Sequence, residues 1–113
     1  MADGCLFCRI ASGEIPSAKV AETETAFAFR DIDPKAPTHV LVIPRKHVAS
    51  LSAVSDPAIF GDLLSLAASV ARSEGLEENG YRVVINNGHD GGQTVDHLHL
   101  HVLGGRRLIW PPG

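Results

Sequence analysis

The chain is poor in cysteine: two residues of 113, Cys5 and Cys8 in CLFC. Two intervening residues are too few for the disulfide framework of a small secreted domain, and suit a metal site or a redox pair instead. Positive charge is also short, with 10 Lys and Arg against 13 Asp and Glu and a formal net charge of -3. The basic doublets Arg45-Lys46 and Arg106-Arg107 form no stripe, so a nucleic-acid partner is not expected. The first twenty residues, MADGCLFCRIASGEIPSAKV, hold no long apolar run, which argues against a signal peptide or membrane span. No repeat or low-complexity tract occurs, and no GxxxxGK[ST] loop. These absences leave an expected soluble, cytoplasmic protein with one domain over residues 1–113 and no membrane partner. A domain of this size buries a modest share of its surface and gains from pairing with a second copy.

What is present reads as α+β. CLFCRIASG suits one short helical turn with a glycine stop. EIPSAKVAE reads as a turn into an edge strand, because Pro16 fits an edge better than a sheet centre. TAFAFR at 25–30, THVLVIP at 38–44, YRVVIN at 81–86 and residues 96–103 are predicted strands. The main helix is predicted over 57–74. Asp56 caps it, Pro57 takes the first position, and Gly75 stops it. Phe60, Leu63, Leu64, Ala67 and Val70 recur at helical spacing as its packed stripe.

The last strand carries the chemistry. In QTVDHLHLHVLGG, histidine stands at 97, 99 and 101 and apolar residues at 98, 100 and 102. Strand side chains alternate faces, so His97, His99 and His101 share one face and Leu98, Leu100 and Val102 pack under the helix. The histidine row spans about 13 Å at roughly 3.3 Å per residue. One metal ion can join neighbours in such a row but not all three. A row of neutral imidazoles instead suits an extended anionic substrate, with one ring attacking and another donating a hydrogen bond. The preceding loop, NNGHDGGQT, has Gly88, Gly91 and Gly92, whose backbone N–H groups can approach a phosphate closely.

HLHLHVL resembles the motif of the histidine-triad (HIT) family, His-x-His-x-His followed by two hydrophobic residues. GGQTVDHLHLHVLGG and the terminal WPPG resemble its Hint branch, in a bacterial type with CxxC, and the resemblance runs over almost the whole chain. It implies an antiparallel sheet of about five strands with one main helix and a short N-terminal helix. It implies a homodimer whose sheets join, with residues 106–113 reaching toward the partner's site. It implies binding of purine nucleoside monophosphates and hydrolysis of nucleoside phosphoramidates without an organic cofactor. By the motif match His99 is the nucleophile, His97 and His101 flank it, and His39 supports them. Asn86, Gly92, Gln93 and Thr94 match positions at the phosphate and leaving group. Asp31 and Ile32 match the nucleoside pocket, with Leu6, Phe7, Phe29 and Leu41 lining the base. Thr94 stands where relatives often carry serine, and Asp96 stands where a tyrosine or proline is expected. The resemblance also implies a structural zinc on Cys5, Cys8, His47 and His97. Alternatives of other classes are a nucleotide-binding or regulatory protein without turnover, a purely metal-binding module, and a dinucleoside polyphosphate hydrolase of the Fhit branch.

Overall fold

The computed structural model describes residues 4–113. A short helix, α1 (Leu6–Ala11), precedes three strands, β1 (Lys19–Glu22), β2 (Ala26–Arg30) and β3 (Thr38–Pro44). A single 3-10 turn at Leu51–Ala53 leads to the main helix, α2 (Ala58–Ser73), and then β4 (Arg82–Ile85) and β5 (Leu100–Gly104) follow. All pairings are antiparallel, and the sheet order is β1-β2-β3-β5-β4. The α+β class, the strand number and both helices agree with the sequence reading.

Strand alternation divides the sheet into two faces. Ala26 and Ala28 of β2, Val40 and Val42 of β3, and Leu100 and Val102 of β5 pack with Leu63, Leu66, Ala67 and Val70 of α2. The opposite face carries Phe27, Phe29, Leu41 and Ile43, covered by Phe7, Ile10 and Ala11 of α1. His39 and His101 belong to this second face. His39 stands two strand positions from Leu41, and His101 is the cross-strand partner of Leu41.

The start of α2 is held as expected, since the Ala58 N–H donates to the Asp56 carboxylate at 3.0 Å. Gly75 ends it in the left-handed region at φ 75°, where a side chain would be strained. Two details differ. Leu66 is buried at 5%, whereas Leu64 is half exposed at 50% and Phe60 is only partly buried. The packed stripe therefore runs through 63, 66, 67, 70 and 71, turned slightly from the predicted one.

The last strand begins at Leu100 rather than residue 96. Its ladder to β3 ends at the pair Val42↔Leu100. Upstream, the chain leaves β3 and meets a loop, where the Leu98 N–H donates to the Val48 carbonyl at 2.7 Å. Side-chain alternation nevertheless survives the loss of strand pairing. Leu98 stays in the helix-side core and His97 and His99 stay buried apart from it. Asp96 is exposed.

Candidate functional site

His99 and His101 open onto a cavity of 790 Å³ between α1, β2, β3 and the segment before β5. Its apolar wall includes Leu6, Phe7, Phe29 and Leu41, with Ile32 and Asp31 at the rim. Phe7 is packed edge-on against both Phe29 and His99, at centroid distances of 5.5 Å and 5.2 Å. This places a short N-terminal helix, rather than the sheet alone, at the base of the pocket. Thr94 lines the same cavity.

The tautomer of each imidazole follows from what its two nitrogens meet. His99 Nδ1 lies 2.8 Å from the His97 carbonyl, which only accepts, so Nδ1 carries the proton. Its Nε2 therefore keeps a bare lone pair. His39 receives the Lys35 backbone N–H on Nδ1 at 3.0 Å, so its Nε2 carries the proton. That Nε2–H lies 2.9 Å from His101 Nδ1 and 3.3 Å from the Asp31 carboxylate. His101 accepts on Nδ1 and holds its own proton on Nε2. That Nε2 is buried and has no hydrogen-bond partner. A buried N–H without an acceptor is costly, and such a donor beside a cavity fits an incoming oxygen anion.

Burial keeps this pair uncharged. It pushes His101 from 6.5 down to about 4, assisted by neighbouring His99 and His39 and opposed by Asp31. Burial also lowers His39, against the pull of Asp31. Asp31 is doubly committed: its other oxygen accepts the Asp33 N–H at 2.8 Å, which fixes the loop at the cavity rim.

A second cluster lies at the other end of the histidine row. Ligand atoms of Cys5, Cys8, His47 and His97 all fall within 4.8 Å of one another. His97 donates Nε2–H to the Pro44 carbonyl at 2.9 Å, which leaves Nδ1 bare and facing the sulfurs. Its Nδ1 is 3.3 Å from Cys5 Sγ and 3.6 Å from Cys8 Sγ, and His47 Nδ1 is 3.4 Å from Cys8 Sγ. Zinc in a tetrahedral site takes sulfur at about 2.3 Å and nitrogen at about 2.0–2.1 Å, which puts bound S and N about 3.6 Å apart. The spacing, the soft donors and the bare nitrogen fit that metal. Cys5 and Cys8 are not joined in a disulfide.

The remaining sequence candidates are placed less centrally. Gln93 uses its side chain as a staple, accepting from Gly88 N–H at 2.9 Å and donating to the Ala49 and Val95 carbonyls. Gly92 takes φ 83° in the same loop. Neither lines the main cavity. Asn86 lies on the other side of the histidine pair, in a groove of 560 Å³ bounded by β4, β5 and the 108–113 tail. The tail lies along its own sheet: Arg82 donates to the Ile109 carbonyl at 2.9 Å, and its guanidinium sits 5.8 Å from the Trp110 ring centroid. Trp110 itself is 79% exposed.

Sequence reasoning missed the backbone groups that set the tautomers, the Lys35 N–H and the Pro44 carbonyl. No side-chain pattern announces them. It also missed Arg82, which period-two spacing in YRVVIN places on the same face as Val84 and Asn86.

Two histidine clusters flank His99 on a five-stranded α+β sheet, one with soft donors fit for a metal and one with a buried, unpartnered ring N–H. The comparisons agree. The HIT domain model matches residues 12–108, and the chain belongs to the HIT family. It is 50% identical over 112 residues to a 14 kDa zinc-binding protein of Zea mays, covering 96% of this chain and 87% of that protein. It resembles the crystal structure of a HIT family hydrolase from Legionella pneumophila Philadelphia 1, with TM-score 0.94, 52% identity, and 97% and 100% of the two chains covered. It also resembles a histidine triad nucleotide-binding protein from Candida albicans, with TM-score 0.84, 38% identity, and 96% and 83% covered. A hydrolase of HIT type is the activity that family and site together support. No helix among the described residues is long and apolar enough to cross a membrane.

Proposed function

We propose that the protein hydrolyses purine nucleoside 5'-phosphoramidates, releasing an amine and a nucleoside monophosphate. One observation carries the reading: His99, with a bare Nε2, and His101, with an unpartnered Nε2–H, line one largely apolar cavity with ring centroids 5.0 Å apart. The first is a nucleophile and the second is a donor for a non-bridging phosphate oxygen.

The purine lies between Leu6, Phe7, Phe29, Leu41 and Ile32, and Asp31 receives the ribose hydroxyls. His99 Nε2 forms a bond to phosphorus while the phosphorus–nitrogen bond breaks; the bridging nitrogen first takes a proton from solvent, so the amine leaves neutral. The imidazole acquires positive charge, which the Nδ1–H hydrogen bond to the His97 carbonyl stabilises. His101 acts by donating a hydrogen bond and keeps its proton, since losing it would leave an imidazolate. Water then bonds to phosphorus as the phosphorus–Nε2 bond breaks. Its hydroxyl stays on the nucleotide and its proton returns to solvent, replacing the one taken up by the departing amine. Splitting one displacement into two lowers each barrier. Thr94 and Asn86 border the leaving group.

The four-residue Cys/His cluster holds a structural zinc in this reading. The metal ties α1 to the segment carrying His97, whose carbonyl orients the nucleophile. No organic cofactor is needed. The reading includes a homodimer joined along edge strand β4, supported by the half-exposed Leu64 beside it; sedimentation at micromolar concentration tests this. The activity test is single-turnover reaction with a nucleoside phosphoramidate, quenched in mild base. A nucleotidyl adduct on His99, seen by mass spectrometry of the peptide, is expected. Turnover with no adduct at any time point counts against the covalent route.

A further inference from the structure

The N-terminal helix joins two features in one short stretch. Cys5 and Cys8 supply the sulfurs of the four-residue cluster, while Leu6 and Phe7 between them, with Ile10, line the main cavity. Phe7 packs edge-on against His97 and His99, at centroid distances of 5.9 Å and 5.2 Å. An isolated helix needs about 12–15 residues to hold itself in water, and α1 has 6, so it depends on its anchors. At its far end Arg45 donates to the Ala11 carbonyl at 3.0 Å. At its near end the Cys5 and Cys8 sulfurs stand 3.3 Å and 3.4 Å from the imidazoles of His97 and His47. This wall of the cavity is therefore tied to the sheet through thiols.

The same thiols are placed to react with each other. Their sulfurs lie within 4.8 Å. Cys5 is the N-cap of α1, with extended backbone at φ -84° and ψ 115°, and its sulfur accepts the Cys8 N–H at 3.4 Å. A disulfide needs Cβ atoms about 3.5–4.5 Å apart, against about 5–6 Å for helical neighbours three apart. The N-cap residue can make that adjustment, because helix geometry does not fix its backbone. Cys5 is partly exposed, whereas Cys8 is buried. A peroxide meets Cys5 first, and Cys8 stands behind it to resolve the product.

We infer that Cys5 and Cys8 form a reversible thiol–disulfide site, oxidised by a hydroperoxide, whose disulfide releases zinc and loosens the α1 wall of the nucleoside cavity. The inference rests on the zinc and nucleotide readings above. In the zinc-bound form both sulfurs are thiolates. The Cys5 sulfur bonds to one peroxide oxygen as the O–O bond breaks, giving a sulfenic acid and hydroxide. The Cys8 sulfur then bonds to the Cys5 sulfur and expels a second hydroxide. Two electrons pass from the sulfurs to the peroxide, and both hydroxides take protons from solvent to become water. Zinc needs thiolate, so a disulfide leaves it His47 and His97 alone and the ion departs. The new bond lies within one end of α1 and no longer joins it to the sheet. A dithiol reductant reverses the step by exchange, and zinc returns.

The test exposes the zinc-loaded chain to hydrogen peroxide. Loss of both thiols should release about one zinc per chain, read with a colorimetric chelator. Peptide mass spectrometry should find a Cys5–Cys8 disulfide, and a cyclic dione present during the reaction should trap the sulfenic acid on Cys5. Amide exchange across α1 should quicken by roughly tenfold or more. The Kd for adenosine monophosphate should rise by roughly tenfold, the scale of one lost aromatic contact. Dithiothreitol with added zinc should restore both. Thiols that survive a peroxide dose able to oxidise free dithiothreitol overturn the inference. So does a disulfide that retains zinc or leaves exchange and Kd unchanged, and so does oxidation to sulfinic acid without a disulfide. A reduced chain that takes up no zinc fails the zinc reading separately, and one that binds no nucleotide fails that reading separately. In either case amide exchange across α1 decides the inference: faster exchange in the disulfide form supports it, and equal exchange overturns it.

Discussion

Two clusters on either side of His99 use the same side chain for opposite ends, and one backbone group at each sets them apart. In the Cys5, Cys8, His47, His97 cluster, the remote nitrogen of His97 meets the Pro44 carbonyl. An acceptor there draws the proton outward and leaves the inner nitrogen bare. In the Asp31, His39, His101 cluster, the remote nitrogen of His39 meets the Lys35 N–H. A donor there forces the proton inward, onto the nitrogen that faces the cluster. The first arrangement makes a ligand and the second makes a hydrogen-bond donor. Three convergent ligand-type residues are therefore not enough to define a metal site. Asp31, His39 and His101 converge as closely, yet a metal there would have to displace the proton that the Lys35 N–H holds in place.

His99 stands between the clusters and belongs to neither, and removing it has the largest effect. His99→Ala should lower phosphoramidate turnover by roughly ten-thousandfold, the scale at which losing a nucleophile is felt. Nucleoside monophosphate binding should stay within about threefold, since the cavity walls and Asp31 remain. Single-turnover kinetics and calorimetry measure the two separately. Turnover within about tenfold of the parent would remove His99 as the attacking group.

The comparison between clusters is itself open to attack through metal. Zinc titration should find about one tight equivalent per chain, held at the sulfur-containing cluster. Cys8→Ala should abolish it and lower stability by about 3 kcal/mol, which lowers Tm by roughly 15 °C. Its chemical step should fall much less than its stability. A second tight zinc that survives Cys8→Ala and is lost in His39→Ala would show that Lys35 N–H does not set the tautomer.

Much of this arrangement was legible in the chain. Period-two alternation placed His97, His99 and His101 opposite Leu98, Leu100 and Val102, and that held even where the strand did not extend. Asp56, Pro57 and Gly75 bounded the helix because capping is local. The errors came from partners distant in sequence. Strand β5 starts late because the Leu98 N–H finds Val48 instead of β3. Leu66 replaces Leu64 in the core because the sheet decides which side of α2 it faces. The roles of the two clusters turn on a carbonyl at Pro44 and an N–H at Lys35, and every residue type but proline supplies both groups. Residue identity can nominate the imidazoles, but only the fold decides which nitrogen holds the proton.

The smallest effect tests the neutral cluster through pH. His101 titrates at about 4 in the folded protein against 6.5 for the ordinary group, because burial and the neighbouring His99 and His39 outweigh Asp31. His39 is displaced in the same direction. Between those two values the unfolded chain binds a proton at His101 and the folded chain does not. Acid therefore favours unfolding, and this contribution to stability is full above about 6.5 and is lost as pH falls toward 4. Carboxylates elsewhere in the chain also respond over part of this range, so the absolute curve does not isolate the cluster. The difference between the parent and His101→Gln does, since the substitution removes the titrating ring and leaves the other groups in place. Urea unfolding at pH 7.5, 6 and 5 should show the parent losing more stability than His101→Gln over the same interval. His97 adds the same sign but contributes to both proteins. Equal losses in the two proteins would mean that His101 is as readily protonated in the fold as in the open chain. The charged ring would then compete with the neutral Nε2–H for the phosphate just below neutrality, and burial would no longer be what keeps the cluster uncharged there.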